Sequence, residues 1–204
     1  MRKFFVVMAA GFSLAAGVNQ EVLAGFIGLP RAAYSNIDRI RFDQPTLAPM
    51  AYTQFCLRYA NECNDRKVRF RGGPVRLDES RWAELATVNR EVNARIRPER
   101  NERGYAGDKW LIGPLRGDCN DYAVTKRHEL MERGWSARNL LLSEVVTSGG
   151  EHHLILVVRT SGGDFVLDNL TQQVRPWSRV PYHWVRIQRP DGSQLWSSVA
   201  NRSA

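Results

Sequence analysis

Residues 117–123 read Gly-Asp-Cys-Asn-Asp-Tyr-Ala and open a predicted helix that continues to Arg133. Asp118 is a favourable N-cap residue, because its carboxylate accepts hydrogen bonds from free N–H groups of the first turn. Gly134 suits the left-handed position that commonly follows a helix. Cys119 then lies in the first turn, where the free N–H groups and the helix dipole favour a thiolate over a thiol.

Downstream of this helix the pattern changes to that of β-strands. Four segments are rich in valine, leucine, isoleucine and aromatic residues: 140–146, 153–159, 165–169 and 182–188. Residues 161–164, Ser-Gly-Gly-Asp, predict a hairpin turn between the second and third segments. Because the predicted helices come first and the antiparallel sheet second, we expect an α+β fold.

Two helices are predicted upstream. Residues 50–59 form the first, and the second begins at Asp78 or Ser80 and ends before Pro98. Apolar residues recur in the second at steps of three or four, which predicts a core-facing stripe: Trp82, Leu85, Val88, Val92 and Ile96.

Asn89 and Asn93 lie one turn apart on a flank of that stripe. They have two interpretations. Both amides are solvated, or both hydrogen-bond a neighbouring loop.

The first 24 residues have the three parts of a secretory signal peptide. A short positive start is followed by the mostly apolar residues 4–18, and Val22 and Ala24 occupy the −3 and −1 positions of a cleavage site. The apolar run is shorter than the ~20 residues that a membrane span needs. We therefore expect cleavage after Ala24 and a single domain of residues 25–204, located in the periplasm or secreted.

The composition limits the classes of protein that remain. The chain has 204 residues, 43% of them hydrophobic, which suits one globular domain and excludes a disordered chain. Three cysteines are too few for a four-cysteine zinc or iron–sulfur site. In an exported protein the nearby Cys56 and Cys63 predict a local disulfide, which leaves Cys119 as the unpaired thiol.

A nucleophilic cysteine needs a base and a group that orients the base. His153 begins one predicted strand and Asp168 lies near the end of the next, so that an even hairpin loop places both on one face of the sheet. A tight turn at residues 162–163 would instead set Asp168 opposite Val157, too far from His153. A triad therefore requires a bulge or an offset loop in this hairpin.

The same three residues have structural interpretations. A single cysteine in a helix is often a small core residue, a histidine in an apolar strand is often a core histidine, and Asp168 could cap the end of a strand. The spacing alone leaves both interpretations open.

Three segments resemble the bacterial transglutaminase-like cysteine proteinases: 117–123, 151–158 and 166–170. The stripe of residues 82–96 and the motif Asp108-x-Trp110 also match, and the resemblance covers roughly residues 45–190. It implies a transglutaminase/papain-like fold, in which the N-terminal helices pack on an antiparallel sheet and the nucleophile begins a helix. The roles it implies are nucleophile for Cys119, base for His153 in preference to His152, orienting residue for Asp168 and oxyanion support for Trp110.

The family includes LapG-type periplasmic proteases, which clip large surface adhesins under the control of an inner-membrane receptor and bind calcium through acids beside the nucleophile. Here Asp118 and Asp121 are retained, whereas Asn120 stands where such relatives carry an acid. Fewer charges weaken calcium binding, and both acids also suit a helix N-terminus. The resemblance thus implies a protein substrate, such as a surface adhesin, and no required cofactor, with calcium at Asp118 and Asp121 as an option.

Two functional alternatives remain. Acyl transfer to an amine, as in a transglutaminase, uses the same residues as hydrolysis. A non-catalytic binding module for an anionic partner would use the net charge of +8 and a basic cluster: Arg66, Lys67, Arg69, Arg71 and Arg76. Export argues against nucleic acid as that partner, and a solvated basic face would have the same composition.

Overall fold

The structure is a computed structural model that describes residues 39–64, 74–100 and 108–200. The predicted signal peptide of residues 1–24 lies outside the described residues. So do four members of the basic cluster: Arg66, Lys67, Arg69 and Arg71.

The helices in the described ranges are α1 (Met50–Arg58), α2 (Glu79–Arg95) and α3 (Cys119–Glu132). Asp78 caps α2, because its carboxylate accepts the N–H of Arg81 at 2.9 Å. Gly134, at φ +82°, follows α3 in the predicted left-handed conformation. None of these helices is long and apolar enough to cross a membrane, as far as the chain is described.

The strands form one large sheet and one small pair. The large sheet has the order β1-β9-β8-β4-β5-β6-β7 with antiparallel neighbours, and β2 pairs with β3 in parallel. Their bounds are β1 (Phe42–Thr46), β2 (Arg97–Pro98), β3 (Arg116–Gly117), β4 (Leu140–Val146), β5 (His152–Thr160), β6 (Gly163–Leu167), β7 (Arg175–Pro176), β8 (His183–Arg189) and β9 (Gly192–Val199). This combination of helices and an antiparallel sheet confirms the α+β prediction.

The large sheet is strongly curled. Ile40 donates its N–H to Asp164 at the start of β6, whereas Phe42 pairs with Val199 on β9. Three strands separate β6 from β9 in the sheet order, so two residues of chain can connect them only if the sheet bends round on itself. Alternate residues of β5 consequently face two cores. Leu154, Leu156 and Val158 pack with the helices, while Ile155 and Val157 face the inside of the curl.

Cys56 and Cys63 form the predicted disulfide, with Cα atoms 5.6 Å apart. It joins the end of α1 to the residue after the short 3₁₀ helix Ala60–Glu62. Cys119 is the free cysteine. The division of the three cysteines into one disulfide and one thiol is therefore as predicted.

β1 and β9, at one end of the large sheet, were not predicted. β9 begins Gly-Ser-Gln and contains further serines, so Leu195, Trp196 and Val199 give only a weak apolar signal. β1 contains Pro45 and is largely exposed, which is typical of an edge strand. Polar strands of this kind are defined by their neighbours in the sheet and have little periodicity of their own.

Candidate active site

Helix α3 begins at Cys119, and reciprocal hydrogen bonds define this start. The carboxylate of Asp118 accepts the N–H of Asn120 (2.9 Å) and that of Asp121, whose own carboxylate accepts the N–H of Asp118 (3.1 Å). This is a capping box, with Asp in place of the usual Glu or Gln. A Cβ atom on Gly117 would lie 2.2 Å from a carboxylate oxygen of Asp121, so the cap requires glycine there.

β5 extends beyond the end of β6, and Cys119 lies beside the part of β5 that β6 leaves unpaired. β6 ends at Leu167, opposite Leu156, so the first residues of β5 are not paired with β6. The N–H of Leu154 instead lies close enough to the sulfur of Cys119 to lower the pKa of its thiol. The sulfur therefore lies beside the residue that directly follows His153.

His153 and Asp168 are in contact. Nε2 of His153 is 2.8 Å from Oδ1 of Asp168, and both side chains are buried. The register of the hairpin places Asp168 opposite Ile155, two positions from His153 on the same face. Such diagonal neighbours are within reach of a long or aromatic side chain.

The hairpin meets the predicted requirement by an offset turn. Thr160 pairs with Gly163, so the turn is formed by Ser161 and Gly162, one residue earlier than a turn at 162–163. This shift moves the partner of Asp168 from Val157 to Ile155. β5 and β6 contain no bulge along their pairing, so the shift of the turn is sufficient.

Asp168 is held by three donors. Besides His153, the hydroxyl of Tyr182 donates to Oδ2 and the N–H of Leu170 to Oδ1 (3.0 Å). Burial alone would raise the pKa of Asp168, but these hydrogen bonds and the charge of His153 outweigh it, and the pKa lies below its usual value. The ring of Tyr182 also packs edge-on against that of His153, with centroids 5.8 Å apart. Sequence reasoning missed Tyr182, because no local pattern distinguishes it from other strand aromatics.

Two asparagines of α2 hold the loop that follows Asp168. Nδ2 of Asn93 donates to the carbonyl oxygens of Asp168 (2.9 Å) and Thr171 (3.0 Å), and Nδ2 of Asn89 donates to Thr171 (3.0 Å). Asn89 is fully buried. Of the two interpretations of these residues, the structure supports hydrogen bonding to a neighbouring loop.

His152 occupies a different environment from its neighbour. Its side chain is 51% exposed, and Nδ1 lies 2.8 Å from Oε1 of Glu144 on β4. Because side chains alternate along a strand, it cannot share the position of His153. The ring of His152 is thus bound to Glu144, whereas that of His153 is bound to Asp168.

The expected thiolate is not favoured by this environment. Burial, together with the carboxylates of Asp118 and Asp108, raises the pKa of the Cys119 thiol to about 12. The N–H groups of Leu154 and Asn120 act in the opposite direction without reversing the shift. The prediction considered the helix dipole and omitted the acids that crowd the same helix end.

The indole of Trp110 has another partner than an oxyanion. Its Nε1–H donates to Asp108 at 3.1 Å, and the ring is buried against Tyr52 and Phe55. The backbone supplies a better donor. The capping box uses the other first-turn N–H groups, and the N–H of Cys119 has no acceptor within the cap as described.

The predicted calcium ligands Asp118 and Asp121 both accept N–H groups of the protein. Calcium takes six to eight oxygen ligands. The two carboxylate oxygens of Asp121 accept the N–H groups of Leu111 (2.7 Å) and Asp118 (3.1 Å), and Asp118 caps the helix. Within the described ranges, no group of three or more His, Cys, Asp and Glu side chains is arranged to hold a metal ion.

A cavity of about 350 Å³ is bordered by Tyr182. Mostly apolar side chains line it, among them Trp177, Val180 and Trp184. Neither Cys119 nor His153 contributes to its wall. The catalytic candidates therefore lie at an open strand edge and not in this cavity.

Comparisons with known proteins find one matching family and several similar structures. The family described as "Bacterial transglutaminase-like cysteine proteinase BTLCP" matches residues 42–204. Solved structures of Legionella pneumophila LapG are similar: the calcium-bound form at 22% identity and TM-score 0.49, over 60% of this chain and 72% of that one, and the EGTA-treated form at 23% and 0.49, over 60% and 69%. A further LapG structure is 23% identical with TM-score 0.48, over 57% of this chain and 66% of that one. No curated protein sequence matches the chain.

Proposed function

The chain belongs to the bacterial transglutaminase-like cysteine proteinase family and is a cysteine peptidase of that type; on this premise we propose that Cys119, His153 and Asp168 are its catalytic triad. One observation carries the assignment. The backbone N–H of Leu154, next to His153, lies close enough to the sulfur of Cys119 to lower the pKa of its thiol, and the ring of His153 is bound to the buried Asp168.

His153 acts as the general base. Asp168 binds its Nε2, which leaves Nδ1 for the thiol of Cys119. Because the pKa of the thiol is raised, the resting cysteine is protonated, and its proton moves to Nδ1 as the sulfur attacks the peptide carbonyl. The resulting imidazolium is stabilised by the carboxylate of Asp168.

The backbone N–H of Cys119 stabilises the oxyanion, because the cap leaves this donor at the positive end of α3. When the tetrahedral intermediate collapses, the C–N bond breaks and His153 protonates the leaving amine. Cys119 is left as a thioester. Water then attacks the thioester carbonyl and gives its proton to His153, and the C–S bond breaks to release the acid and the thiol.

We also propose that the enzyme acts outside the cytoplasm. The signal-peptide pattern of residues 1–24 and the disulfide Cys56–Cys63 support export. A peptidase in the periplasm meets proteins of the cell surface, and a surface adhesin is the substrate that the family resemblance suggests. An inner-membrane receptor is its proposed regulator on the same ground.

Hydrolysis of fluorescein-labelled casein, with dansylcadaverine incorporation in parallel, tests the reaction. We expect peptide release by the native enzyme and a loss of at least about 10³-fold in Cys119→Ala and His153→Ala. His152→Ala is the matched control and retains activity, since its ring binds Glu144. Incorporation of dansylcadaverine without peptide release would assign the chain to amine transfer instead.

Alkylation by iodoacetamide gives a test that needs no substrate. If His153 accepts the thiol proton, the labelling rate of Cys119 at neutral pH falls in His153→Ala and is unchanged in His152→Ala. A rate that is the same in all three proteins contradicts the assignment of His153 as base.

A further inference from the structure

Three carboxylates crowd the start of α3: those of Asp108, Asp118 and Asp121. Burial raises the pKa of each, and the charge of Asp118 adds to the effect on the other two. None of the three forms an ion pair with a basic side chain within the described residues. Buried carboxylates that lie close together usually need a cation or a set of N–H donors to compensate their charge.

N–H donors fill this need for the two acids of the cap. Asp121 receives the N–H groups of Leu111 and Asp118, and Asp118 receives those of Asn120 and Asp121. These are short-range bonds that the helix start makes in any case. They leave Asp108, which comes from the preceding loop, as the carboxylate that must be compensated separately.

The amide of Asn120 supplies that compensation. Its Nδ2 lies 3.3 Å from Oδ1 and 3.1 Å from Oδ2 of Asp108, and the indole of Trp110 donates to Oδ2 as well. Asn120 directly follows Cys119, so this contact ties the loop of residues 108–110 to the nucleophile. An acid at position 120 would face Asp108 with a second negative charge at the same distance.

We propose that the side-chain amide of Asn120 replaces a bound cation in this chain. It bridges Asp108 to the start of α3 through N–H groups, where two facing carboxylates would require a divalent ion between them. The site around Cys119 is consequently assembled without calcium. The inference rests on the proposed function only in taking Cys119 as the nucleophile. The bridge between Asn120 and Asp108 concerns folding and does not depend on catalysis.

Melting temperatures in millimolar calcium and in EGTA test the proposal independently of peptidase activity. We expect the native protein to melt at the same temperature in both. Asn120→Ala loses the bridge and melts about 3–8 °C lower in both conditions, from the usual stabilisation by a hydrogen bond to a charged group. Asn120→Asp melts lower in EGTA and recovers a shift of similar size when calcium is added.

Asn61→Asp is the matched control, because it adds the same charge at an exposed position of the 3₁₀ helix far along the chain. It shows no calcium response. The proposal is overturned if calcium raises the melting temperature of the native protein, or if Asn120→Ala melts like the native protein. It is also overturned if Asn120→Asp responds to calcium no more than Asn61→Asp does. A protein that fails to hydrolyse casein still gives all of these readings.

Discussion

Helix α3 carries two clusters of charged side chains, and their charges are compensated in different ways. At its start, the acid cluster of Asp108, Asp118 and Asp121 is compensated by N–H groups. Further along, the paired cluster joins Arg127 and His128 to Glu62, with Nη1 of Arg127 3.0 Å and Nδ1 of His128 2.7 Å from its carboxylate oxygens. Arg127 also donates to the carbonyl oxygens of Glu62 and Leu140, so each of its buried contacts is satisfied.

The difference separates stability from function. The paired cluster connects the disulfide-linked segment to α3, and its charges balance. The acid cluster and its neighbour Cys119 have raised pKa values, which means that folding places them at a cost. Costs of this kind are common at reactive sites, where environments are arranged to shift pKa values. We therefore expect substitutions within the proposed triad to affect rate and those around Arg127 to affect stability.

The largest effect is expected for Asp168→Asn, which keeps the shape of the side chain and removes its charge. Without the carboxylate His153 loses both its orientation and the stabilisation of its imidazolium, so kcat/KM falls by about 10³–10⁴-fold, as in other triads. Asp164→Asn is the matched control on β6, the strand that precedes Asp168, because Asp164 is buried and paired with Arg159. The control loses stability and keeps its kcat/KM, and equal activity losses in both variants would contradict the assignment.

Arg127→Met tests the other cluster. It leaves the carboxylate of Glu62 buried without its guanidinium partner, and we expect a loss of about 3–5 kcal/mol in the free energy of unfolding. Urea denaturation measures this, with Arg133→Met as control. Arg133 pairs with Glu91 at the surface (3.5 Å), and its removal costs about 1 kcal/mol or less. Well below its melting temperature, Arg127→Met keeps its activity. A large fall in kcat/KM under those conditions would contradict the distinction between the two clusters.

Lys126 sharpens the comparison, because it is the buried neighbour of Arg127 without an ion pair among the described residues. Burial lowers its pKa to about 7, although the charge of Asp168 acts in the other direction. Between this value and 10.5 the unfolded chain holds a proton that the folded protein lacks, so stability rises with pH across this window. Below it, the full cost of burying the ammonium group is present.

Lys126→Met removes that cost. We expect its free energy of unfolding to exceed that of the native protein by about 2–4 kcal/mol near neutral pH and below, and the difference to vanish as the pH approaches about 10. Urea denaturation across this range measures it, and the exposed Lys109→Met is the control with little effect at any pH. A native protein that is equally stable across the window would show that Lys126 is solvated.

Much of the chain follows from local signals. The cap at Asp118 and the glycine stop at Gly134 bound α3 as predicted, and the bounds of β4 agree residue for residue. The disulfide followed from export and the short separation of Cys56 and Cys63. These features depend on neighbours in sequence, where hydrogen-bonding rules and periodicity act directly.

What the sequence did not reveal depends on distant contacts. The position of the β5–β6 turn differs by one residue from the Gly162–Gly163 alternative, and that single step decides which residue faces Asp168. The raised pKa of Cys119 comes first from burial by distant parts of the chain, and Asp108, eleven residues upstream, adds to it by folding back beside the thiol. β9 is recognisable as a strand only through its pairing with β1 and β8.

The smallest effect is expected for Tyr182→Phe, which tests how far the hydroxyl of Tyr182 lowers the pKa of Asp168 and orients His153. The variant removes one donor from Asp168, so the pKa of Asp168 rises towards its usual value and the orientation of His153 is less restricted. We expect kcat/KM to fall about 10-fold, the equivalent of one hydrogen bond to a charged group, and the acidic limb of the pH–activity profile to move to higher pH. Tyr122→Phe is the control, because the buried hydroxyl of Tyr122 donates to the carbonyl of Ile96 (2.6 Å), away from the triad. The control variant has a lower melting temperature and an unchanged pH–activity profile. If the profile of Tyr182→Phe is also unchanged, Tyr182 has only a packing role, like Tyr122.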